Sequence, residues 1–231
     1  MTLRVGFDMD GVVADFASAF RDIECDLFGA DTTDPAPNAA DEESEQTLDQ
    51  NTNPAVRAKE SDRRRRAVWD RIRATPDFWT TLKPTDPVAV RHLHAQMLRC
   101  GWEVVFITQR PSTAGETVQR QTQRWLVQQG FDMPSVVVIA GSRGAAINAL
   151  RLTHHVDDSP QNCVDVKTDS TAMPILIVRR PDDSAARQAR KLGMSVAASI
   201  GECLDLLVHA SGASGQSSVV RRLAALVNWS G

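Results

Sequence analysis

The chain has 231 residues, enough for one sizeable α/β domain carrying an insertion. It holds 26 Lys and Arg residues against 29 Asp and Glu residues, a formal net charge of -3. This balance excludes proteins that bind nucleic acid through a global basic field, and it leaves a small or single-stranded substrate open.

The cysteine spacing and the hydropathy of the chain exclude further classes of protein. The four cysteines are far apart and form no CxxC pair, which argues against a zinc site or a redox dithiol. No apolar run approaches the roughly 18 residues that a membrane-spanning helix requires, and the first residues, MTLRVGFDMD, are acidic where a signal peptide would be apolar. We therefore expect a cytoplasmic protein that does not associate with membranes.

The first third of the chain combines two ordered elements with a polar segment. Residues 3–8 (LRVGFD) predict a buried strand, and the apolar spacing from Phe16 to Leu27 predicts an amphipathic helix. Residues 30–66 have almost no large apolar side chain, so we expect them to be disordered or a long surface loop. The acidic residues 41–45 and the four arginines 63–66 are interpreted as a solvated insertion, with a partner or nucleic-acid contact as the alternative.

From residue 67 onward, helical and strand patterns alternate. A helical stretch leads into a Pro-punctuated aromatic segment that ends at Pro84. Further strands are predicted at 103–108, 136–140, 153–156, 174–178 and near 195, and helices around 87–99, 114–129, 144–150, 183–192 and 200–209. This alternation predicts a parallel sheet with right-handed crossovers. Residues 210–231 are interpreted as a flexible link and a final amphipathic helix.

The most informative motif is FDMDGVVADF, residues 7–16. Asp8 and Asp10 lie two residues apart where the first strand ends, so in an extended backbone both carboxylates project to one side. Gly11 allows the backbone to turn away immediately. Because two adjacent carboxylates repel each other, this pattern predicts a divalent cation beside them.

Other strand ends of the predicted sheet also carry polar residues, and ligands of open α/β sheets bind at this edge. Thr108, Gln109 and Arg110 follow one strand, and Asp157 and Asp158 follow another. Arg143 begins the helix after a third strand, and Thr113 and Glu116 have the spacing of a capping box at the start of the helix after Thr108.

This set of residues suits a magnesium ion next to a phosphoryl group, since magnesium prefers oxygen ligands from carboxylates, water and phosphate. Asp8 would attack phosphorus, and Asp10 would protonate the leaving oxygen and later take a proton from water. Thr108 and Arg143 would hold the phosphoryl oxygens. His154 and His155 are interpreted as sheet packing or solvent-exposed residues.

In this order, the motifs DxDGV, ITxR, a basic residue and a strand ending in DD resemble the haloacid dehalogenase superfamily of aspartate-nucleophile phosphatases. FDMDGVVADF, the segment Phe78 to Pro84, FITQR and HHVDDSPQN are most similar to its 5′(3′)-deoxyribonucleotidase group. The resemblance implies a three-layer Rossmann-like α/β core with a small helical cap inserted after the first strand. The expected core is 1–16 with 84–209, and the expected cap is 17–83.

The resemblance also implies site roles. Asp8 is the implied nucleophile, Asp10 the acid/base and Thr108 a phosphate contact. Magnesium would be held by Asp8, the Asp10 carbonyl, and either Asp157 or Asp158. The family usually has lysine where this chain has Arg143, and the two cations are not interchangeable.

The expected substrate is a nucleoside monophosphate, with Phe16 and Trp79 as candidates to stack its base and Gln109 and Arg110 as further substrate contacts. One alternative is a phosphatase of a sugar phosphate, another small ester or a nucleic-acid phosphate end. A second alternative is a non-catalytic nucleotide- or partner-binding protein. A homodimer is left open.

Overall fold

The computed structural model of the protein describes residues 2–29, 54–179 and 184–212. Its strands are β1 (Arg4–Asp8), β2 (Glu103–Thr108), β3 (Ser135–Val138), β4 (His154–Asp157), β5 (Met173–Ile177) and β6 (Ser195–Ala197). They form one parallel sheet in the order β3-β2-β1-β4-β5-β6. This is the doubly wound order of Rossmann-like folds, so the predicted α/β class is confirmed.

The helices are α1 (Phe16–Phe28), α2 (Pro54–Ala74), α3 (Pro87–Cys100), α4 (Val118–Gln128), α5 (Arg143–Ala149), α6 (Pro160–Asp169), α7 (Ser184–Lys191) and α8 (200–212), with a 3-10 turn at Phe78–Thr80. Most lie within a few residues of the predicted positions. Helix α6 was not predicted. None of the helices in the described ranges is long and apolar enough to cross a membrane.

Helix α2 corrects the expectation for residues 30–66. We expected disorder or a loop, and this is wrong for residues 54–66, which are helical. Arginine, alanine, glutamate and lysine dominate this stretch and are intrinsically good helix formers. Glu60 also pairs with Arg64 one turn later, at 3.5 Å. Residues 30–53, including the acidic run 41–45, and the predicted helix after residue 213 lie outside the described residues.

Helix α4 corrects the predicted capping box. The helix begins at Val118, and Thr117 caps it by accepting a hydrogen bond from the Arg120 amide. Thr113 accepts a hydrogen bond from the side chain of Gln121 at 2.9 Å, and the same side-chain amide donates to the Glu116 carbonyl at 2.6 Å. These bonds hold residues 113–116 as an ordered loop outside the helix.

The chain forms two compact units. Unit 1 takes in the described residues of Met1–Asp8, Asp86–Phe106 and Gly141–Gly231. Within it, β1, β4, β5 and β6 pair in parallel, with Phe7 opposite Val156 and Val156 opposite Ile175. These strand residues are almost entirely buried, as expected for a parallel sheet covered on both faces.

Unit 2 takes in the described residues of Met9–Thr85 and Ile107–Ala140, and thus joins part of the predicted insertion to residues that were expected in the core. Its core is a cluster of aromatic rings contributed by α1, α2 and the 3-10 turn: Phe16, Phe20, Trp69, Phe78 and Trp79.

The turn after Asp10 determines how unit 2 begins. Gly11 has φ 76°, a left-handed conformation that other residues adopt only with strain, and its amide donates to the Ala14 carbonyl at 2.9 Å. The carboxylate of Asp15 then caps α1 by accepting a hydrogen bond from the Ser18 amide. The chain therefore passes from the DxD motif into α1 within a few residues.

Candidate active site

Unit 1 brings three carboxylates together. Asp8 is the last residue of β1 and Asp157 the last residue of β4, and these neighbouring parallel strands end at the same edge. From β1 the chain adds strands toward one edge of the sheet, and from β4 it adds them toward the other edge. Ligands of such sheets usually bind at this point of reversal. Asp8, Asp157 and Asp158 each offer one oxygen, and the three oxygens lie within 4.8 Å of one another.

Arg143 joins two of these acids. It is the first residue of α5, placed there by Ser142, which caps the helix by accepting a hydrogen bond from the Ala145 amide. The buried guanidinium donates from Nη2 to Oδ1 of Asp8 at 2.7 Å, and its Nε lies 3.5 Å from Oδ2 of Asp157. Arg143 therefore fixes the Asp8 carboxylate with a charge-assisted hydrogen bond.

Asp157 is held from several directions. Its Oδ1 accepts hydrogen bonds from the Ser159 amide at 2.9 Å and from Nδ2 of Asn162 at 3.1 Å. Its Oδ2 accepts from the Asn162 side chain at 3.1 Å and lies 2.9 Å from Nε2 of His155. Ser159 and Pro160 open α6, which explains why Asn162 faces this carboxylate.

Burial and hydrogen bonding shift the pKa values of Asp157 and His155 in opposite directions. Burial alone would raise the pKa of Asp157, but the hydrogen bond from His155 and the nearby charge of Arg143 bring that pKa below its usual value. Burial lowers the pKa of His155, and its bond to Asp157 offsets this only in part. Asp157 is therefore a carboxylate and His155 a neutral ring near pH 7.

The three acids fit a magnesium ion. Their oxygens are hard ligands, and they lie close enough together for one ion to bind between two of the acids. Magnesium sites in proteins usually take one or two carboxylates and leave the other positions to water and phosphate. Unit 1 thus contains a candidate cation site next to a buried guanidinium.

Unit 2 contains a second charged pair. Arg110 donates from Nε to Oδ2 of Asp10 at 2.8 Å and from Nη2 to Oδ1 at 2.6 Å. Thr108 ends β2 and is buried, with its carbonyl accepting from the Ile139 amide at 2.9 Å, while Gln109 is partly buried. The sequence prediction of Arg110 as a substrate contact did not anticipate this pairing with Asp10.

The two aromatic candidates for base stacking lie in the core of unit 2. Phe16 is 1% exposed and Trp79 is 0% exposed. The Phe16 ring lies 5.7 Å from Trp79 and 5.5 Å from Trp69, centroid to centroid. A nucleobase could stack on either ring only if this cluster opened.

Sequence reasoning missed two residues of the unit 1 site, although signals for both were present. His155 and Asp157 are two apart on one strand and therefore share a face of the sheet. Ser159 followed by Pro160 is a typical helix start, which would have placed Asn162 in the first turn of a helix next to the acids.

Comparison with protein-family models and with curated proteins finds no match to the sequence. Among solved structures, a putative beta-phosphoglucomutase from Thermotoga maritima matches with a TM-score of 0.53 and 16% identity, covering 90% of this chain and 99% of that one. A haloacid dehalogenase-like hydrolase from Streptococcus pneumoniae matches with a TM-score of 0.52 and 10% identity, covering 89% and 98%. At such identities the likeness shows the fold alone, and the chain has the α/β fold of haloacid dehalogenase-like hydrolases.

Proposed function

We propose that the protein is a magnesium-dependent phosphomonoesterase that acts through an aspartyl phosphate on Asp8. The observation that carries this proposal is the environment of Asp8 at the end of β1. One of its oxygens accepts a hydrogen bond from Arg143, and two further acids lie beside it. A carboxylate held by a guanidinium at the switch point of a sheet is well placed to attack a bound phosphate ester.

The proposed reaction consists of two displacements at phosphorus. In the first, an Asp8 oxygen forms a bond to phosphorus while the ester bond breaks, and Asp10 gives its proton to the leaving oxygen. In the second, Asp10 takes a proton from water, the water oxygen bonds to phosphorus, and phosphate leaves Asp8. Arg143 and Thr108 hold the phosphoryl oxygens as charge shifts among them.

Asp8 and Asp158, with the Asp10 carbonyl, are the proposed magnesium ligands. Asp157 is assigned a different role because its two oxygens already accept hydrogen bonds from Ser159, Asn162 and His155. It anchors Arg143 and the start of α6. When bound, magnesium supplies positive charge that offsets the negative charge of the phosphate ester.

Nucleoside monophosphates are the proposed first substrate class. Support comes from the resemblance of residues 7–16 and 78–84 to the 5′(3′)-deoxyribonucleotidase group. Because Phe16 and Trp79 are buried, the proposal does not rely on base stacking by these rings.

A sugar phosphate is the second candidate substrate. The burial of both aromatic rings favours it, and one structural neighbour is described as a putative beta-phosphoglucomutase. The proposed chemistry at phosphorus is the same for both substrates, since groups away from the phosphate determine which ester is accepted.

The test is phosphate release from a panel of nucleoside monophosphates, sugar phosphates and glycerol phosphate, with magnesium and with excess chelator. Asp8→Asn keeps the shape of the side chain but removes the nucleophile, so we expect a loss of about 10⁴-fold or more in kcat with an unchanged circular dichroism spectrum. Asp132→Asn, at an exposed position, is the matched control. Turnover by Asp8→Asn within tenfold of wild type, or undiminished turnover in chelator, would overturn the mechanism.

A further inference from the structure

The carboxylate of Asp10 is held at both of its oxygens by a single side chain, Arg110. The two hydrogen bonds, at 2.8 Å and 2.6 Å, run side by side, one from Nε and one from Nη2. Such bidentate pairs fix the plane and direction of the carboxylate as well as its position. The Arg110 side chain is 0% exposed and that of Asp10 is 8% exposed, so water competes little for these bonds.

Arg110 is itself held from two other sides. Its Nη1 donates to Oγ1 of Thr122 at 3.0 Å, and its guanidinium carbon lies 4.6 Å from the Trp79 ring centroid. Trp79 is in turn fixed by its indole Nε1, which donates to the Pro111 carbonyl, and by its backbone amide, which donates to Oε1 of Gln121. The orientation of Asp10 is thereby tied to the buried core of unit 2.

We propose that Arg110 is the positioning residue for Asp10, the proposed acid and base of the reaction, and that it does not contact the substrate phosphate. This inference rests on the proposed function. A proton donor must lie within hydrogen-bond distance of the leaving oxygen, and an error of about 1 Å can cost about 100-fold in rate. The pair with Arg110 limits that error by restricting the rotamers of Asp10.

A substrate-binding role for Arg110 would demand a different arrangement. The guanidinium would have to leave Asp10 and the Trp79 ring to reach a phosphate, which would leave a buried carboxylate without its partner. Positioning needs no such movement. The two roles predict different kinetics. A lost phosphate contact lowers kcat/KM equally for all esters, whereas a misplaced acid lowers it most for esters whose leaving group needs a proton.

The test is the kinetics of Arg110→Lys with esters that differ in their leaving group. Lysine keeps the charge but cannot engage both oxygens in parallel. The quantity compared is kcat/KM, which reports the steps up to departure of the leaving group and leaves out the second displacement, where Asp10 acts as the base for every ester. With an alkyl ester such as glycerol phosphate or a nucleoside monophosphate, which needs a proton from Asp10, we expect kcat/KM to fall about 100-fold. With p-nitrophenyl phosphate, whose leaving group departs without a proton, the loss in kcat/KM should be under about tenfold.

Two further variants make the result decisive. Thr122→Val removes one anchor of Arg110 while leaving the pair in place, so it should show the same leaving-group dependence with a smaller loss, and it serves if Arg110→Lys fails to fold. Arg120→Lys, at an exposed arginine paired with Glu116, is the matched control and should resemble wild type.

Equal losses of kcat/KM with both kinds of ester would overturn the inference while the proposed function stands. Wild-type protein that releases phosphate from none of these esters, nucleoside monophosphates and sugar phosphates included, would instead overturn the proposed function, and the inference with it.

Discussion

Replacing Gly144 with alanine should force α5 away from α6 and shift Arg143, the residue before it. Gly144 is the second residue of α5. A Cβ at this position would lie 2.2 Å from the carbonyl oxygen of Asp165 and 2.8 Å from the Cβ of Asp169, both in α6. Carbon atoms seldom approach a carbonyl oxygen closer than about 3.3 Å, so the two helices must separate by about 1 Å.

Two energies of opposite sign determine the size of the effect. Overpacking of this kind lowers the free energy of unfolding by about 1–3 kcal/mol. The clash here is with backbone atoms of α6, which cannot move aside as a flexible side chain could. Alanine has a better helix propensity than glycine, which returns up to about 1 kcal/mol. We therefore expect the free energy of unfolding to fall by about 1–2 kcal/mol. A shift of about 1 Å at Arg143 should also lower kcat by up to about 100-fold.

Urea unfolding followed by circular dichroism measures the first effect, and phosphate release measures the second. Gly201→Ala is the matched control, because Gly201 lies in α8 and, among the described residues, a Cβ there would meet the Ser199 hydroxyl at 3.6 Å, an ordinary contact. This control should be as stable as wild type or more stable. If Gly144→Ala matched the control in both stability and kcat, the close approach of α5 to α6 would not be what positions Arg143.

Three other sets of substitutions test the assignments at individual residues. Arg143→Ala should lower kcat by about 100- to 1,000-fold. Arg143→Lys should recover part of that loss, because an ammonium group can pair with Asp8 but cannot also reach Asp157. Equal activity of the two variants would exclude a role for the positive charge of this side chain. Asp158→Asn should raise the magnesium concentration needed for half-maximal activity far more than Asp157→Asn, which should chiefly lower stability, and the reverse order would exchange the two roles. Trp79→Ala should lower the free energy of unfolding by about 3–5 kcal/mol, since the ring is fully buried. The activity of this variant should fall equally with nucleoside monophosphates and with glycerol phosphate. A loss confined to nucleoside monophosphates would restore the base-stacking interpretation.

Hydrophobic periodicity predicted most of the fold because the strands of a doubly wound sheet are short, apolar and followed by polar loops. It failed for α6, whose sequence PQNCVDVKTD buries only Cys163 and Val166 and has no clear apolar face. It failed again at residues 54–66, where low hydropathy was interpreted as disorder although the residue types favour a helix. In both places capping residues or intrinsic propensity carried the information that hydropathy lacked.

The site residues were predictable where the chain itself brings them close. Asp8 and Asp10 became candidates because they share one motif, and the pairing of His155 with Asp157 follows from the two-residue period of a strand. The bond between Asp10 and Arg110 joins residues 100 positions apart. A single sequence indicates that both lie near strand ends, but it does not indicate which basic residue pairs with which acid.

That pairing changes the argument for a metal ion. Repulsion between Asp8 and Asp10 suggested a divalent cation, yet each of these acids has a guanidinium partner within its own unit, Arg143 and Arg110 respectively. Repulsion between the two acids of the motif therefore does not by itself require a metal. The case for magnesium rests on unit 1, where Asp157 and Asp158 join Asp8 and the three acids each offer an oxygen within 4.8 Å of the others. Carboxylate oxygens gathered in this way suit a divalent cation, whereas in unit 2 both oxygens of Asp10 are bound by Arg110.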